Sequence, residues 1–212
     1  MKSQKDVLNV TIKDSILSEL NKTHARQAMV VLSAASETSQ AYVYFLEKRQ
    51  NKVWRSALSP VQACVGRNGV ALPGRKREGD GKTPAGIFQI GSAFGYAASI
   101  ETKMPYLAVT SEDIWVDDVN SPDYNRFRKK GTTSAGSYEE MRRKDSLYRY
   151  GLVVEYNTSP VIKGAGSAIF IHVWSGPGTS TSGCIAFPEE KMREILAWLD
   201  PAKKPVITIE RQ

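Results

Sequence analysis

Beyond Gln27 the chain is dominated by short apolar or alternating runs separated by Gly, Pro and Asn. Period-2 alternation, or a brief continuous apolar run between turn residues, predicts strands. On that pattern residues 27–34, 41–49 and 52–58 read as strands, the last two joined at Gln50-Asn51 as a hairpin. Further strands are expected over 86–90, 106–109, 114–117, 151–156, 168–173 and 205–210. Helical spacing is rarer. Val7, Val10, Ile12, Ile16, Leu17 and Leu20 recur at a partly helical period, so residues 1–26 are expected to form an N-terminal helix or tail. Helices are also expected over 138–145 and 189–199. In the second, Met192, Ile195, Leu196 and Leu199 share a face and Pro201 ends the run. Strands dominate and do not alternate regularly with helices. The expected fold is therefore mostly β (α+β), an antiparallel sheet or barrel-like body with a few appended helices, with residues 27–212 as one domain.

Composition narrows the picture. The chain has 212 residues, 41% hydrophobic and 24% charged, which is enough apolar content for a full core and excludes a disordered or fibrous chain. A formal net charge of +7 predicts attraction to anionic surfaces or polymers. The basic groups Arg75-Lys76-Arg77, 126–130 and 142–144 are broken by turn residues or acids. With no zinc-finger, basic-zipper or ribonucleoprotein motif, nucleic acid is not an expected partner. Cys64 and Cys184 are the two cysteines, too few for a disulfide framework or a cysteine metal site. The start, from Met1 to Asp6, lacks the apolar core and cleavage site of a signal peptide, and no apolar run approaches the length of a membrane span.

The chemistry-bearing feature is Cys184, twelve positions after His172, one of two histidines. An apolar run, Ile169-Phe170-Ile171, feeds the histidine, and a loop of Gly, Ser, Thr and Pro leads to Ser182-Gly183-Cys184. Cysteine reacts as thiolate, and a neighbouring imidazole is the usual device for making one near neutral pH. Cys184 is thus a candidate nucleophile and His172 its base. Gly183 lets backbone approach a reacting carbonyl, so the N–H groups around Gly183 and Cys184 are candidate oxyanion donors. The plainer reading is a strand-end histidine and a small buried cysteine. Cys64 reads as a small strand residue, and Asp80, Asp117 and Asp118 as structural rather than metal ligands. Gly81-Lys82-Thr83 lacks the upstream glycine of a phosphate loop.

Ile171-His172 with Ser182-Gly183-Cys184 resembles the signature of the YkuD-type L,D-transpeptidases, cysteine enzymes that remodel bacterial peptidoglycan. Glu78 to Phe88 resembles the segment in which these domains carry Gly-Lys-Thr-Pro-x-Gly-x-Phe. Trp115-Val116-Asp117-Asp118, with Ser121-Pro122, Tyr124 and Asn125, is similar to a segment of one branch of that superfamily. The common motif has a second histidine two positions before the nucleophile, where this chain has Ser182. The resemblance implies attack of Cys184 on the amide between the L-centre of a diamino acid and a terminal D-residue of a peptidoglycan stem peptide. D-alanine leaves and the acyl group passes to an amine. With water as acceptor the same site becomes an L,D-carboxypeptidase. A hydrolase of another amide and a non-catalytic peptidoglycan-binding module are also compatible with these residues. Arg67, Arg75, Lys82 and Arg149 are candidate partners for stem-peptide carboxylates, and Trp174 either walls the cleft or joins the core. Neither cofactor nor metal is expected. The chain is expected to be a monomer, and the resemblance implies a periplasmic or cell-wall location.

Overall fold

The computed structural model describes residues 12–33, 38–49 and 53–211. The expected turn at Gln50-Asn51, the strand ends at Ala34 and Lys52, and the N-terminal helix before Ile12 lie outside these residues. In chain order come α1 (Asp14–Lys22), β1 (Gln27–Ser33), β2 (Gln40–Lys48), β3 (Trp54–Cys64), β4 (Gly86–Gly95) and β5 (Tyr106–Ala108). There follow β6 (Asp113–Val116), β7 (Phe127–Lys129), β8 (Tyr138–Glu140) and β9 (Tyr150–Val154). Last are β10 (Phe170–Val173), β11 (Ile185–Phe187), α2 (Glu189–Trp198) and β12 (Val206–Glu210).

Among the described residues the main sheet runs β12-β1-β2-β3-β11-β10-β9-β4, and β4 pairs back onto β12, closing a barrel. Its pairs are antiparallel apart from β1–β12, β10–β11 and the pairing of β5 alongside β4. Closure pairs the long strands on both sides. Alternation then sorts the side chains. Met29, Val31, Phe45, Leu152, Ile171, Ile185 and Ile207 face inward in one cluster, which Met192, Ile195 and Leu196 of α2 complete. The outward apolar positions fall into two patches. Ala28, Val30, Leu46 and Val206 lie under Ile16 and Leu20 of α1. Phe170 and Cys184 pack with Phe94, Trp115 and Tyr148, and Trp115 belongs to a separate small sheet ordered β7-β6-β8. Strand β10 is thus buried on both faces, which explains the apolar run Ile169-Phe170-Ile171 that leads to His172.

One expected helix is not formed. Residues 138–145 begin as strand β8, with Tyr138 opposite Val116 and Glu140 opposite Ile114 of β6, and continue as a turn. The segment is rich in helix formers but, beyond the buried Met141, offers little apolar face for a helix to bury. Strand pairing satisfies its backbone, and tertiary context overrides propensity. Strand β3 runs on past Pro60 to Cys64, where register shifts against β2 accommodate the proline. The three-residue strands β7 and β11 are too short for periodicity to mark. Helix α2 starts one residue after Pro188, and within the described residues the expected N-terminal helix is present as α1.

Candidate active site

Strands β10 and β11 run parallel, with Ile171 beside Ile185 and His172 beside Ala186. Successive side chains on a strand point to opposite faces, so Ile171 and Ile185 fill the barrel while His172 and Ala186 face out. Cys184, just before β11, shares that outward face with Phe170. The connecting loop returns through a turn in which Thr181 Oγ1 accepts from the Gly183 N–H at 3.1 Å and donates to the Cys184 carbonyl at 2.7 Å. Gly183 sits at φ +152°, and a Cβ there would lie 3.0 Å from the Lys82 carbonyl oxygen. The residue before the sulfur is therefore restricted to glycine by backbone conformation and close approach.

His172 and Cys184 open into one cleft of about 370 Å³. The Cys184 Sγ donates to the Ala168 carbonyl at 3.3 Å and accepts from the Phe170 N–H at 3.4 Å. Burial pushes the thiol up to about 12, an effect the Phe170 N–H opposes. His172 Nδ1 lies 2.7 Å from the Val173 carbonyl. A carbonyl can only accept, so Nδ1 carries the proton and Nε2 keeps its lone pair. Burial brings the imidazole down to about 4, with the Val173 carbonyl working the other way. Both groups are therefore neutral at rest. Among the described residues their hydrogen bonds run to backbone groups rather than to each other.

The motifs upstream brace this pair. Thr83 Oγ1 accepts from the Gly66 N–H at 2.8 Å and donates to the Cys184 carbonyl at 3.4 Å, so the Gly-Lys-Thr-Pro segment supports the back of the nucleophile's turn. Asp80 accepts from Lys76 Nζ at 2.6 Å and from the N–H groups of Arg77 and Lys82. Its burial raises the carboxyl, but these donors outweigh that and hold it below its ordinary value. Asn125 Oδ1 accepts from Trp115 Nε1 at 2.8 Å and from the Ala168 N–H at 3.1 Å, fastening the residue whose carbonyl receives the thiol. Glu78 Oε2 accepts from the Tyr124 hydroxyl at 2.5 Å and the Ser167 hydroxyl at 2.7 Å in the same turn. Asp118 holds the Asn120 and Gly136 N–H groups, as befits a turn carboxylate.

Of the residues the sequence points to, Arg67, Trp174, Ser182 and Gly183 line the cleft with the His172–Cys184 pair. Arg67 NH1 donates to Ser182 Oγ at 3.2 Å. Lys82 and Arg149 are not among the described residues lining it, and Arg149 is tied to Glu189 at 2.9 Å. Sequence reasoning missed Lys76, Glu139, Arg143 and Tyr148, all of which line the cleft. Three of them come from the segment expected to be a helix or from its exit, where no spacing signal links them to His172.

One protein-family model, described as the L,D-transpeptidase catalytic domain (YkuD), matches residues 30–208. No curated protein and no solved structure matches the chain.

Proposed function

The chain belongs to the L,D-transpeptidase catalytic-domain family, whose members act on peptidoglycan, and from that premise we propose that it transfers a stem-peptide acyl group through a thioester on Cys184. The observation that carries the proposal is the shared cleft, which Cys184 and an imidazole with an unprotonated Nε2 both line. As Sγ attacks the carbonyl between the L-centre of the diamino acid and the terminal D-residue, its proton passes to Nε2. The carbonyl electrons move to oxygen beside the Cys184 and Gly183 N–H groups. Collapse breaks the C–N bond, the imidazolium returns its proton to the leaving amine, and D-alanine departs. A second amine then attacks the thioester, gives its proton to Nε2, and the thiol is regenerated. The Gly183 N–H is held by Thr181 Oγ1 at rest, so the Cys184 N–H is the first oxyanion donor and the Gly183 N–H joins as the turn adjusts.

Arg67 is the proposed carboxylate partner of the donor stem. The other cleft cations are paired, Lys76 with Asp80 and Arg143 with Asp145 and Glu139, whereas Arg67 has no acidic partner among the described residues. Its bond keeps a permanent cation at Ser182, two positions before the proposed nucleophile in sequence. Trp174 forms part of the wall.

Intact-mass analysis after incubation with tetrapeptide muropeptide or a carbapenem is expected to show one adduct on the wild-type chain. Cys184→Ala should show neither adduct nor turnover, and His172→Ala should be slowed by orders of magnitude. Absence of an adduct with the thiol demonstrably free would overturn the enzyme and favour a binding module. Products lacking cross-links would assign water as the acceptor.

A further inference from the structure

Tyr148 ties the two halves of the cleft's chemistry together, although the segment that carries it has no feature that marks it. It is 4% exposed. The ring centroid lies 5.1 Å from that of His172 with the planes at 64°, an edge-to-face contact. Phe94 at 5.7 Å and Phe170 at 5.6 Å hold the ring in the same aromatic cluster. The Arg143 guanidinium carbon stands 5.1 Å from the ring centroid. The backbone makes the placement firm, since the Val173 N–H donates to the Leu147 carbonyl at 3.1 Å, directly beside Tyr148 and beyond His172.

The polar end of Tyr148 is where the chemistry lies. Burial, followed by the nearby charges of Cys184 and Glu139, raises the phenol well above its ordinary value. The hydroxyl therefore stays protonated, beside Glu139 and in the cluster and cleft that also hold Cys184. Glu139 is half-buried on β8 and raised by burial, while Arg143 at 3.2 Å favours its carboxylate form. The described hydrogen bonds to the sulfur come from, or run to, the backbone of Phe170 and Ala168. A phenolic O–H can rotate about its C–O bond and choose between acceptors without moving the ring.

We propose that Tyr148 is a third functional residue of the site: its ring sets the plane of His172, and its hydroxyl donates to the negative charge that develops at Cys184. At rest the sulfur is a neutral thiol and the hydroxyl serves Glu139. As the proton passes from Sγ to His172 Nε2, the hydroxyl turns to the sulfur and to the charge spreading from it. Tyr148 moves no proton in this step; it supplies one charge-assisted hydrogen bond, and bonds of this kind are about twice as strong as neutral ones. Removing a single preorganised donor from such a site lowers turnover by roughly 10²–10³.

The proposal rests on Cys184 being the reactive thiol, and its test separates it from the proposed substrate. The primary measurement is the pH dependence of Cys184 alkylation by iodoacetamide, in a Cys64→Ser background so that one thiol reports. Tyr148→Phe keeps the ring and is expected to alkylate roughly tenfold more slowly at fixed pH, because its thiolate is less stabilised. Glu139→Gln removes the competing acceptor and a neighbouring negative charge, and is expected to alkylate faster. Tyr148→Leu, which removes the ring, should also disturb the His172 imidazole resonances, whereas Tyr148→Phe should leave them in place. On tetrapeptide stems Tyr148→Phe should lower kcat with little change in KM. Alkylation profiles of Tyr148→Phe and its parent that superpose, with the fold intact by circular dichroism, would overturn the role of the hydroxyl. Unperturbed imidazole resonances in Tyr148→Leu would overturn the role of the ring. Failure of the parent to turn over tetrapeptide stems would count against the proposed substrate while the alkylation result still decides Tyr148.

Discussion

His172 and Cys184 are driven in opposite directions by the same burial, the imidazole down to about 4 and the thiol up to about 12. Both shifts favour the neutral form, because low dielectric penalises either charge. Proton transfer therefore accompanies attack on a bound substrate rather than preceding it. The pH profile of kcat/KM should have an acid limb near pH 4–5 and a broad plateau above neutrality. A limb near 6.5, the ordinary imidazole value, would contradict it. Stability should follow the same residue. With the folded value below the unfolded one, the native state binds fewer protons between pH 6.5 and about 4, so stability present above 6.5 is lost as pH falls through that window. The effect is roughly 3 kcal/mol. Glu139, raised by burial, acts in the opposite sense above its ordinary value. Urea titrations of a His172→Asn variant should show a flatter pH dependence across the window; an unchanged slope would refute the neutral buried imidazole.

At the scale of elements, the site depends on turns held by side chains from distant segments. Asn125 is the clearest case. Its Oδ1 accepts two hydrogen bonds and its Nδ2 donates to the carbonyls of Tyr156 and Asn157 at 3.1 and 2.7 Å, all from a buried position. Asn125→Ala leaves several buried groups unsatisfied and should destabilise by about 3 kcal/mol. It should also lower kcat in the fraction that remains folded, because the Ala168 carbonyl loses its support beside the thiol. Wild-type kcat in folded Asn125→Ala would show that this turn does not position Cys184. The strands themselves are partly legible in the sequence. Strand β10 announces itself by its apolar run, and β1 and β12 by their dense aliphatic residues. The segment beginning at Tyr138 is not legible, since its composition favours a helix and only pairing with β6 makes it a strand.

Over the whole molecule, the net charge of +7 is not gathered into one basic stretch of the sequence. Such a field raises encounter rates with an anionic polymer and is screened by salt. Co-sedimentation with purified peptidoglycan should weaken from about 50 to about 500 mM salt, over which the screening length falls several-fold. Turnover of a small soluble stem peptide should change much less; equal sensitivity would place the effect in the cleft instead. Among the described residues no helix is long and apolar enough to cross a membrane.

The residues alone determined the mostly β character of the chain, the candidate pairing of His172 with Cys184 and the family's motifs. Each of these is written locally, in alternation, composition or short spacing. Tertiary structure decided the rest. Parallel pairing of β10 with β11 sets the histidine and the cysteine on one outward face, and a small sheet from elsewhere in the chain supplies Glu139 beside them. Burial then assigns the charge states of the pair, and Thr83, Asn125 and Tyr148 reach it from separate parts of the sequence. These contacts join residues far apart along the chain, and no periodicity within a strand or helix encodes which distant side chain will meet it.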